Sequence, residues 1–307
     1  MRSASYLIGL QQLGLVRFLI TMVSKGFFRT WMRLKLWRFI RPFVSVKEPQ
    51  TWVFMGGCYN SGTTILRDML GSHPEVASLP REGVRLTDAF PDLEQNGWAR
   101  MWHRNENLMH LKDKQDPHSI AKTAMRDWSL WWQRKATVYL EKSIVHGAWM
   151  PTLQQGFNNT KFIGVVRNGY CVCEGIQRRA KPSGIARDTL GTSEYPLCEA
   201  GKQWVFSNKI LMQHSDLVDH YFEIRYEELV ADPLQCIHRL FTFIGVDPSV
   251  AFLTSDGGID IGGCIFKVRD QNPNSLERLT EENRLELDQT IGTLMTELGY
   301  RGIGVNQ

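Results

Sequence analysis

The stretch WVFMGGCYNSGTTILRDMLGSHPEV, residues 52–76, constrains the fold more than any other part of the chain. An apolar run, Trp52–Gly57, leads into a glycine-rich turn and then into a helix predicted over Gly62–Leu70. Glycines permit the backbone angles and close approach that an anion requires, and amides at a helix N-terminus point at that anion. The stretch therefore predicts a phosphate-binding loop between a buried strand and a helix.

This loop lacks the lysine that nucleoside triphosphatases place in it. The spacing Gly57-x4-Gly62 matches theirs, but Thr63 stands at the lysine position. Such an enzyme also needs a magnesium-binding aspartate after another strand, and none is evident. Ser61, Thr63 and Thr64 offer hydroxyl and amide donors instead. The loop fits a 5′-phosphate held by donors alone, and a glycine-rich turn without a ligand is the alternative.

Further along the chain, short apolar runs alternate with helical patterns. This alternation is typical of an α/β fold with a parallel, doubly wound sheet. Two more strands are predicted over Lys161–Arg167 and His220–Arg225. The remaining predicted helices are Ser119–Arg134, Leu197–His214, Pro233–Ile244 and Thr280–Leu298.

Arg167 ends the second predicted strand. The carboxyl edge of an open α/β sheet is where ligands bind, and a guanidinium group matches a phosphate. Arg178 and Arg179 follow about three helical turns later. Arg167 is therefore a candidate phosphate ligand, with a structural ion pair as the alternative.

Charge divides the 307 residues into two regions. Residues 1–47 hold nine Lys and Arg and no acid, which predicts a basic amphipathic helical extension. It either lies on an anionic membrane surface or packs on the main domain, residues 48–307. The net charge of +4 suits an anionic ligand but is too small to indicate nucleic acid.

The six cysteines contain no C-x2-C pair, so we expect free thiols and no zinc site. The uncharged run 3–16 is shorter than the about 18–20 apolar residues of a membrane span. No small-residue cleavage site follows this run. The expected location is therefore the cytoplasm, with peripheral membrane contact through residues 1–47 as a further expectation.

Four stretches, in order, resemble the PAPS-dependent sulfotransferases, where PAPS is 3′-phosphoadenosine 5′-phosphosulfate. They are GGCYNSGTTILRDMLGSHPEV, YLEKSIVHGAWMPTLQQGFNNTKF, FIGVVRNGYCVCEG and EIRYEELVADPLQCIHRLFTFIGVD, within residues 50–300. The likeness is closer to the tyrosylprotein and carbohydrate branches than to the cytosolic phenol enzymes. It implies a P-loop-like sulfotransferase fold, a central parallel sheet flanked by helices.

The resemblance also assigns contacts to PAPS and to its product PAP, with no metal. Ser61–Thr64 match the loop residues that bind the 5′-phosphosulfate, and Arg167 matches the arginine that binds the 3′-phosphate. Tyr226 matches a tyrosine near the adenine. Lys267 or Arg269 is expected at the 3′-phosphate, with Ser275 capping the last helix. The full implied set is Gly57, Asn60, Ser61, Gly62, Thr63, Thr64, Arg167, Gly175, Tyr226, Lys267 and Arg269.

Two positions depart from the family pattern. Gly175 replaces a serine that assists the arginine, so this contact is lost or supplied by another group. Asn60 replaces a Lys or Arg, although sulfuryl transfer builds negative charge on the leaving oxygen. Lys142 matches a lysine that reaches the sulfate, and our hypothesis is that it supplies the charge. The alternative is a surface lysine paired with Glu141 or Asp127.

The acceptor hydroxyl needs a base. Glu82 lies near the catalytic glutamate of the tyrosylprotein branch, with the register off by about one residue. The alternatives are His110, His118 or His146 as the base, or Glu82 as a solvated loop carboxylate.

The predicted reaction transfers a sulfuryl group from PAPS to a hydroxyl of a small molecule or sugar, giving a sulfate ester and PAP. A P-loop-like nucleotide-binding kinase and a non-catalytic PAP-binding relative are the alternatives. Trp128, Trp131 and Trp132 either line an aromatic pocket or, as their helical spacing favours, pack in the core. No nucleic-acid partner is expected, and the oligomeric state is not predicted.

Overall fold

The structure is a computed structural model, and it describes residues 46, 48–109 and 115–300. The predicted extension, apart from Val46, and the candidate base His110 lie outside these residues. The domain boundary at 47 and 48 therefore stays a prediction. Within the described ranges, no helix combines the length and the apolar character needed to cross a bilayer.

A five-stranded parallel sheet forms the centre, in the order β2-β3-β1-β4-β5. Its strands are β1 Thr51–Gly57, β2 Val76–Ser78, β3 Val138–Lys142, β4 Thr160–Val166 and β5 Tyr221–Arg225. Helices flank it, so the predicted α/β fold with a central parallel sheet is confirmed.

The helices connect these strands and cover both faces of the sheet. In chain order, the described α-helices are α1 Thr63–Gly71, α2 Glu106–Met109, α3 Pro117–Trp128, α4 Met150–Gly156, α5 Gly169–Arg179, α6 Gly184–Leu190, α7 Leu197–Ser215, α8 Tyr226–Ala231, α9 Pro233–Ile244, α10 Asn272–Glu277 and α11 Glu281–Glu297. A small antiparallel sheet contains β6 Ala251–Leu253, β7 Ile259–Ile261 and β8 Cys264–Phe266.

Strand β1 lies in the middle of the sheet, between β3 and β4, and every one of its residues is buried. Alternate side chains point to opposite faces of a strand, so β1 contributes to two cores. Trp52 packs on one face with Trp128, their ring centroids 6.1 Å apart. Val53 and Met55 pack on the other face, in the core that also contains Leu66 of α1. This double burial fixes the strand that leads into the glycine loop.

Helix α3 is shorter than the predicted Ser119–Arg134, because it ends at Trp128. The hydroxyl of Ser129 donates to a carbonyl oxygen in the last turn at 2.7 Å, and the chain then leaves the helix. Trp132 stacks on Tyr139 of β3 with ring centroids 4.2 Å apart. Trp128 and Trp132 are buried and Trp131 is partly buried against the same core, so the core interpretation is confirmed. The predicted shared helix face is wrong, because Trp131 and Trp132 lie beyond the end of α3.

The C-terminal helix α11 begins at a capping box formed by Thr280 and Asn283. Ser275 lies buried within α10 instead, so the predicted cap at Ser275 is wrong. All six cysteines are free thiols, as expected.

Helix α7 supports the edge of the sheet where β4 ends. The indole nitrogen of Trp204 donates to the carbonyl oxygen of Arg167 at 3.0 Å, and Trp204 is fully buried. Asn208 donates to the carbonyl oxygen of Trp204 at 2.7 Å. These contacts fix the backbone of the residue that the sequence singles out at this edge.

Candidate active site

A cavity of about 630 Å³ opens at the carboxyl edge of the sheet. Segments that follow all five strands of the parallel sheet line it, together with the segment after β8. This edge is where ligands bind in open α/β sheets. Among its lining residues, six cations face two carboxylates, Asp68 and Glu82. The cations are Arg100, Lys142, Arg167, Arg179, Lys267 and Arg269. This excess of positive charge suits a ligand with several negative charges.

The loop between β1 and α1 has the backbone of an anion-binding turn. Gly62, the residue before α1, has φ 91°, and Asn60 has φ 59°. The first amides of a helix have no partner within the helix, so they remain available to a ligand. The hydroxyl of Ser61 is buried without a hydrogen-bond partner among the described residues. A buried donor without a partner beside a cation-lined cavity is the arrangement that suits an anionic ligand.

Gly57 and Gly62 allow close approach at either end of the loop. A Cβ atom at Gly57 would lie 2.7 Å from the carbonyl oxygen of Val165. A Cβ atom at Gly62 would lie 2.7 Å from the ring of Tyr226. Tyr226 therefore packs directly on the loop between β1 and α1, and its contact with the adenine stays a prediction.

The Gly62→Ala variant is expected to lose more stability than Gly191→Ala. Both glycines have positive φ, so each alanine pays the left-handed cost of about 1–2 kcal/mol. Only Gly62 also faces a ring, which adds an overpacking cost of about 1–3 kcal/mol. Urea unfolding of both variants measures the difference, and equal losses would contradict the contact with Tyr226.

Arg167 is buried at the end of β4, with its guanidinium group fixed on three sides. One terminal nitrogen donates to the carbonyl oxygen of Asn60 at 2.6 Å, and Nε donates to Asn272 at 2.8 Å. The guanidinium carbon lies 4.0 Å from the centroid of the Tyr226 ring, a cation–π contact. The other terminal nitrogen is buried without a partner in the described chain. That nitrogen is available to an anion.

Glu227 orients this arginine indirectly, which sequence reasoning missed. Its carboxylate accepts hydrogen bonds from the amide of Asn168 at 3.0 Å and from the side chain of Asn272 at 2.9 Å. Because Asn272 also accepts from Arg167, the carboxylate holds the arginine's partner in place. Residues 227 and 272 are far apart in sequence, so no local pattern indicates this network.

The two predicted cations after β8 lie at the edge of the cavity. Lys267 is exposed and pairs with Asp256 at 2.7 Å. Arg269 is exposed, and its carbonyl oxygen accepts a hydrogen bond from the hydroxyl of Tyr226 at 3.2 Å. The structure therefore places both side chains beside the ligand space, with Tyr226 connecting this segment to the loop.

The two positions that depart from the family pattern contact each other. A Cβ atom at Gly175, on α5, would lie 3.0 Å from the side-chain nitrogen of Asn60. The side-chain oxygen of Asn60 accepts hydrogen bonds from Arg100 at 2.9 Å and from Arg179 at 3.1 Å. Gly175 therefore lies behind Asn60, and arginines surround the uncharged loop residue.

Glu82 and Lys142 form an ion pair in the cavity. The ammonium nitrogen of Lys142 lies 2.8 Å from Oε1 of Glu82, and Arg85 approaches the other carboxylate oxygen at 3.6 Å. Lys142 is buried at the end of β3, and Glu82 is partly exposed. The interpretation of Lys142 as a surface lysine is therefore wrong, and the two predicted catalytic residues lie together.

Glu141 supports this pair from the opposite side of β3. It is fully buried and accepts hydrogen bonds from the backbone amide of Gly83 and from the hydroxyl of Ser143, the latter at 2.6 Å. Since Gly83 follows Glu82, these bonds fix the turn that carries Glu82. Sequence reasoning considered Glu141 only as a partner of Lys142.

Of the three histidine alternatives, the two that the structure describes, His118 and His146, do not line the cavity. His146 is 1% exposed and pairs with Glu141 in the core, so its interpretation as the base is wrong. His118 is exposed near the start of α3 and does not line the cavity. Thiol chemistry is also disfavoured, because burial raises the pKa of Cys58 beside the loop to about 12.

Sequence reasoning also missed Arg100, Tyr59 and Glu94. Tyr59 donates its hydroxyl hydrogen to Glu94, and burial together with that carboxylate raises the pKa of Tyr59 well above its usual value. Arg100 lies in a turn without a periodic sequence pattern, so its position in the cavity could not be predicted from the sequence.

A glycine loop before a helix, at the cation-lined carboxyl edge of a parallel sheet, defines an α/β protein of the phosphate-loop class. A family model described as "Sulfotransferase family" matches residues 53–249, more than half of the chain. The chain belongs to the sulfotransferase family.

Individual relatives are distant. Protein-tyrosine sulfotransferase 1 of Danio rerio is 25% identical over 280 residues, covering 84% of this chain and 74% of that protein. Omega-hydroxy-beta-dihydromenaquinone-9 sulfotransferase of Mycobacterium tuberculosis is 25% identical over 177 residues, but this match spans only 43% of that protein. A solved sulfotransferase from Mycobacterium avium shares the fold, with TM-score 0.51, 14% identity, and coverage of 89% of this chain and 83% of that one.

Proposed function

We propose that this protein transfers a sulfuryl group from PAPS to an acceptor hydroxyl, giving a sulfate ester and PAP. Sulfuryl transfer in general follows from the family. The observation that carries the finer proposal is the Glu82–Lys142 pair, which faces the same cavity as the phosphate loop and Arg167. A carboxylate and a cation beside an anion site are the groups that this transfer requires.

The described residues fit a nucleotide with two phosphate groups. The hydroxyl of Ser61 and the first amides of α1 would hold the 5′ end, with Thr63 and Thr64 adding hydroxyl donors. The unpartnered nitrogen of Arg167 would hold the 3′-phosphate. The support for this fit is that both sites contain buried donors without a protein partner, and burying such donors is unfavourable unless a ligand satisfies them.

PAPS supplies the activated sulfuryl group, and the chain supplies proton transfer and charge stabilisation. The acceptor oxygen bonds to sulfur as the bond from sulfur to the bridging phosphate oxygen breaks. Glu82 accepts the hydroxyl proton, and its hydrogen bond from Lys142 orients the carboxylate in the cavity. Lys142 stabilises the negative charge at the sulfate end of the leaving phosphosulfate.

The Glu82→Gln variant is expected to reduce kcat by about 10²–10³-fold, since it removes the base and retains the shape. PAP affinity should be unchanged, because the amide still fills the same space. Asp68→Asn is the matched control, as Asp68 also lines the cavity but pairs with Arg67 at 2.5 Å. Radiolabelled PAPS gives kcat for each variant, and normal turnover by Glu82→Gln would place the base elsewhere.

A small molecule or sugar is the proposed acceptor. The names of the two curated relatives refer to a protein tyrosine and to a hydroxylated menaquinone, and both supply a hydroxyl group. A sulfation screen with sugars, phenols, aliphatic alcohols and a tyrosine peptide tests this choice. Preferential sulfation of the peptide would overturn it.

Nucleotide preference separates the proposal from its alternatives. A ligand that binds only the folded state raises the melting temperature. We expect PAP to do so and ATP with Mg²⁺ not to, whereas a kinase would show the reverse. Turnover of PAPS with one acceptor of the screen then distinguishes an enzyme from a non-catalytic relative, which would bind PAP and transfer nothing.

A further inference from the structure

We infer that Arg100 is a further catalytic residue. Its guanidinium group lies beside the loop and supplies the positive charge that the uncharged Asn60 lacks. This inference rests on the proposed sulfuryl transfer, because it concerns the oxygen from which the sulfuryl group departs. Negative charge grows on that oxygen during the reaction, so a fixed cation beside it lowers the barrier.

Arg100 reaches the loop at the required place. It lines the cavity, and its terminal nitrogen donates to the side-chain oxygen of Asn60 at 2.9 Å. Asn60 directly precedes Ser61, whose buried hydroxyl lacks a partner. The guanidinium group therefore lies at the loop that is proposed to bind the 5′ end of the nucleotide.

The backbone of the 94–100 turn aims this side chain. Asn96 and Arg100 both have φ 61°, a left-handed conformation that costs energy in residues other than glycine. The carboxylate of Glu94 accepts from the amide of Arg100 at 3.3 Å and also from Arg85 at 2.6 Å. Such strain persists when the surroundings fix it, and it is often found at functional sites.

The ring of Tyr59, which is bound to Glu94, further fixes the position of the Arg100 side chain. The guanidinium carbon of Arg100 lies 5.6 Å from the centroid of the Tyr59 ring. Tyr59 is itself held by its hydrogen bond to Glu94. Arg100 is thus preorganised before the nucleotide binds, and preorganised donors are the ones that accelerate charge-building steps.

Two guanidinium groups crowd the side-chain oxygen of Asn60 in the described part of the chain. Arg179 donates to the same side-chain oxygen at 3.1 Å. Partial desolvation of its guanidinium group and the nearby charges of Arg178 and Arg100 lower the pKa of Arg179, against an opposing effect of Glu174. Two guanidinium groups that share one neutral acceptor favour an added anion. Arg179 is exposed whereas Arg100 is partly buried and anchored, so the catalytic role falls to Arg100.

The role follows from the bonds that change. As sulfur leaves the bridging oxygen, the electron pair of that bond stays on the phosphate of PAP. Arg100 stabilises this oxygen, while Lys142 stabilises the sulfuryl group that departs from it. Two cations on two segments then replace the single cation that is usual in the loop.

The Arg100→Ala variant is expected to lower kcat by about 10²-fold. Its affinity for PAP should fall more than its affinity for a non-transferable PAPS analogue, because the oxygen carries more charge in the product. The double variant with Asn60→Arg added returns a guanidinium group to the loop and should recover at least about tenfold in kcat. A purely structural role for Arg100 would give no such recovery.

Controls separate this inference from the proposed function. Arg178→Ala removes an exposed arginine of α5 that pairs with Glu174 at 2.6 Å and does not line the cavity, so kcat should not change. Thermal unfolding of every variant checks its folding. If the wild type turns over PAPS and Arg100→Ala keeps more than about a third of kcat, only the inference about Arg100 fails. Loss of activity without recovery by Asn60→Arg also overturns it. No turnover and no PAP binding by the wild type would overturn the proposed function itself.

Discussion

Replacing Lys142 with alanine is expected to reduce kcat by about 10²–10³-fold while the protein still binds PAP. Lys142 is buried at the end of β3, so water cannot readily take over the role of its ammonium group. The lysine contacts Glu82 and not the predicted nucleotide ligands Ser61 and Arg167, which is why binding should persist.

Rates with radiolabelled PAPS and calorimetric titration with PAP test the two parts of this result. Lys181→Ala is the matched control. Lys181 is exposed, its ammonium nitrogen lies 2.6 Å from a carboxylate oxygen of Glu194, and neither residue lines the cavity. Turnover near the wild-type rate in Lys142→Ala would remove Lys142 from the mechanism.

Replacing Arg167 with alanine is expected to weaken PAP binding by about 100-fold or more, since truncating one member of a buried charge pair costs about 3 kcal/mol. Arg167→Lys should not restore affinity. A single ammonium group cannot reproduce the contacts of the guanidinium to Asn60, to Asn272 and to the ring of Tyr226 while still facing the ligand.

Calorimetric titration of both Arg167 variants with PAP gives the affinities. Arg239→Ala is the control, because Arg239 is exposed, pairs with Glu228 at 3.3 Å and does not line the cavity. Wild-type affinity in Arg167→Ala would show that the 3′-phosphate binds elsewhere.

Local sequence patterns predict the parts of the fold that depend on local physics. The Pro233–Ile244 helix begins at a proline and ends before a glycine with φ 89°, and both of its ends were predicted correctly. Strand β1 and the glycine loop were predicted because a short apolar run leads directly into a glycine-rich turn. Strand β2 has three residues, so its pairing with β3 is a tertiary property that no short window contains.

The candidate site likewise contains residues that the sequence predicted and residues whose role depends on tertiary contacts. The family resemblance placed Glu82 and Lys142 in one mechanism, and the structure brings them within 2.8 Å. Histidine is a common general base, but sequence alone does not reveal that His146 is buried against Glu141. Arg100 was missed because its position depends on the left-handed turn and on its contacts with distant residues.

The fit between Gly175 and Asn60 limits the order in which mutations can accumulate. A side chain at position 175 is accommodated only after residue 60 shifts, because the gap left for its Cβ atom is 3.0 Å. Asn60 can shift only if Arg100 and Arg179 release its side-chain oxygen. A serine at position 175 therefore requires Asn60 and its two arginine partners to adjust, so the effects of substitutions at these four positions are expected to be coupled.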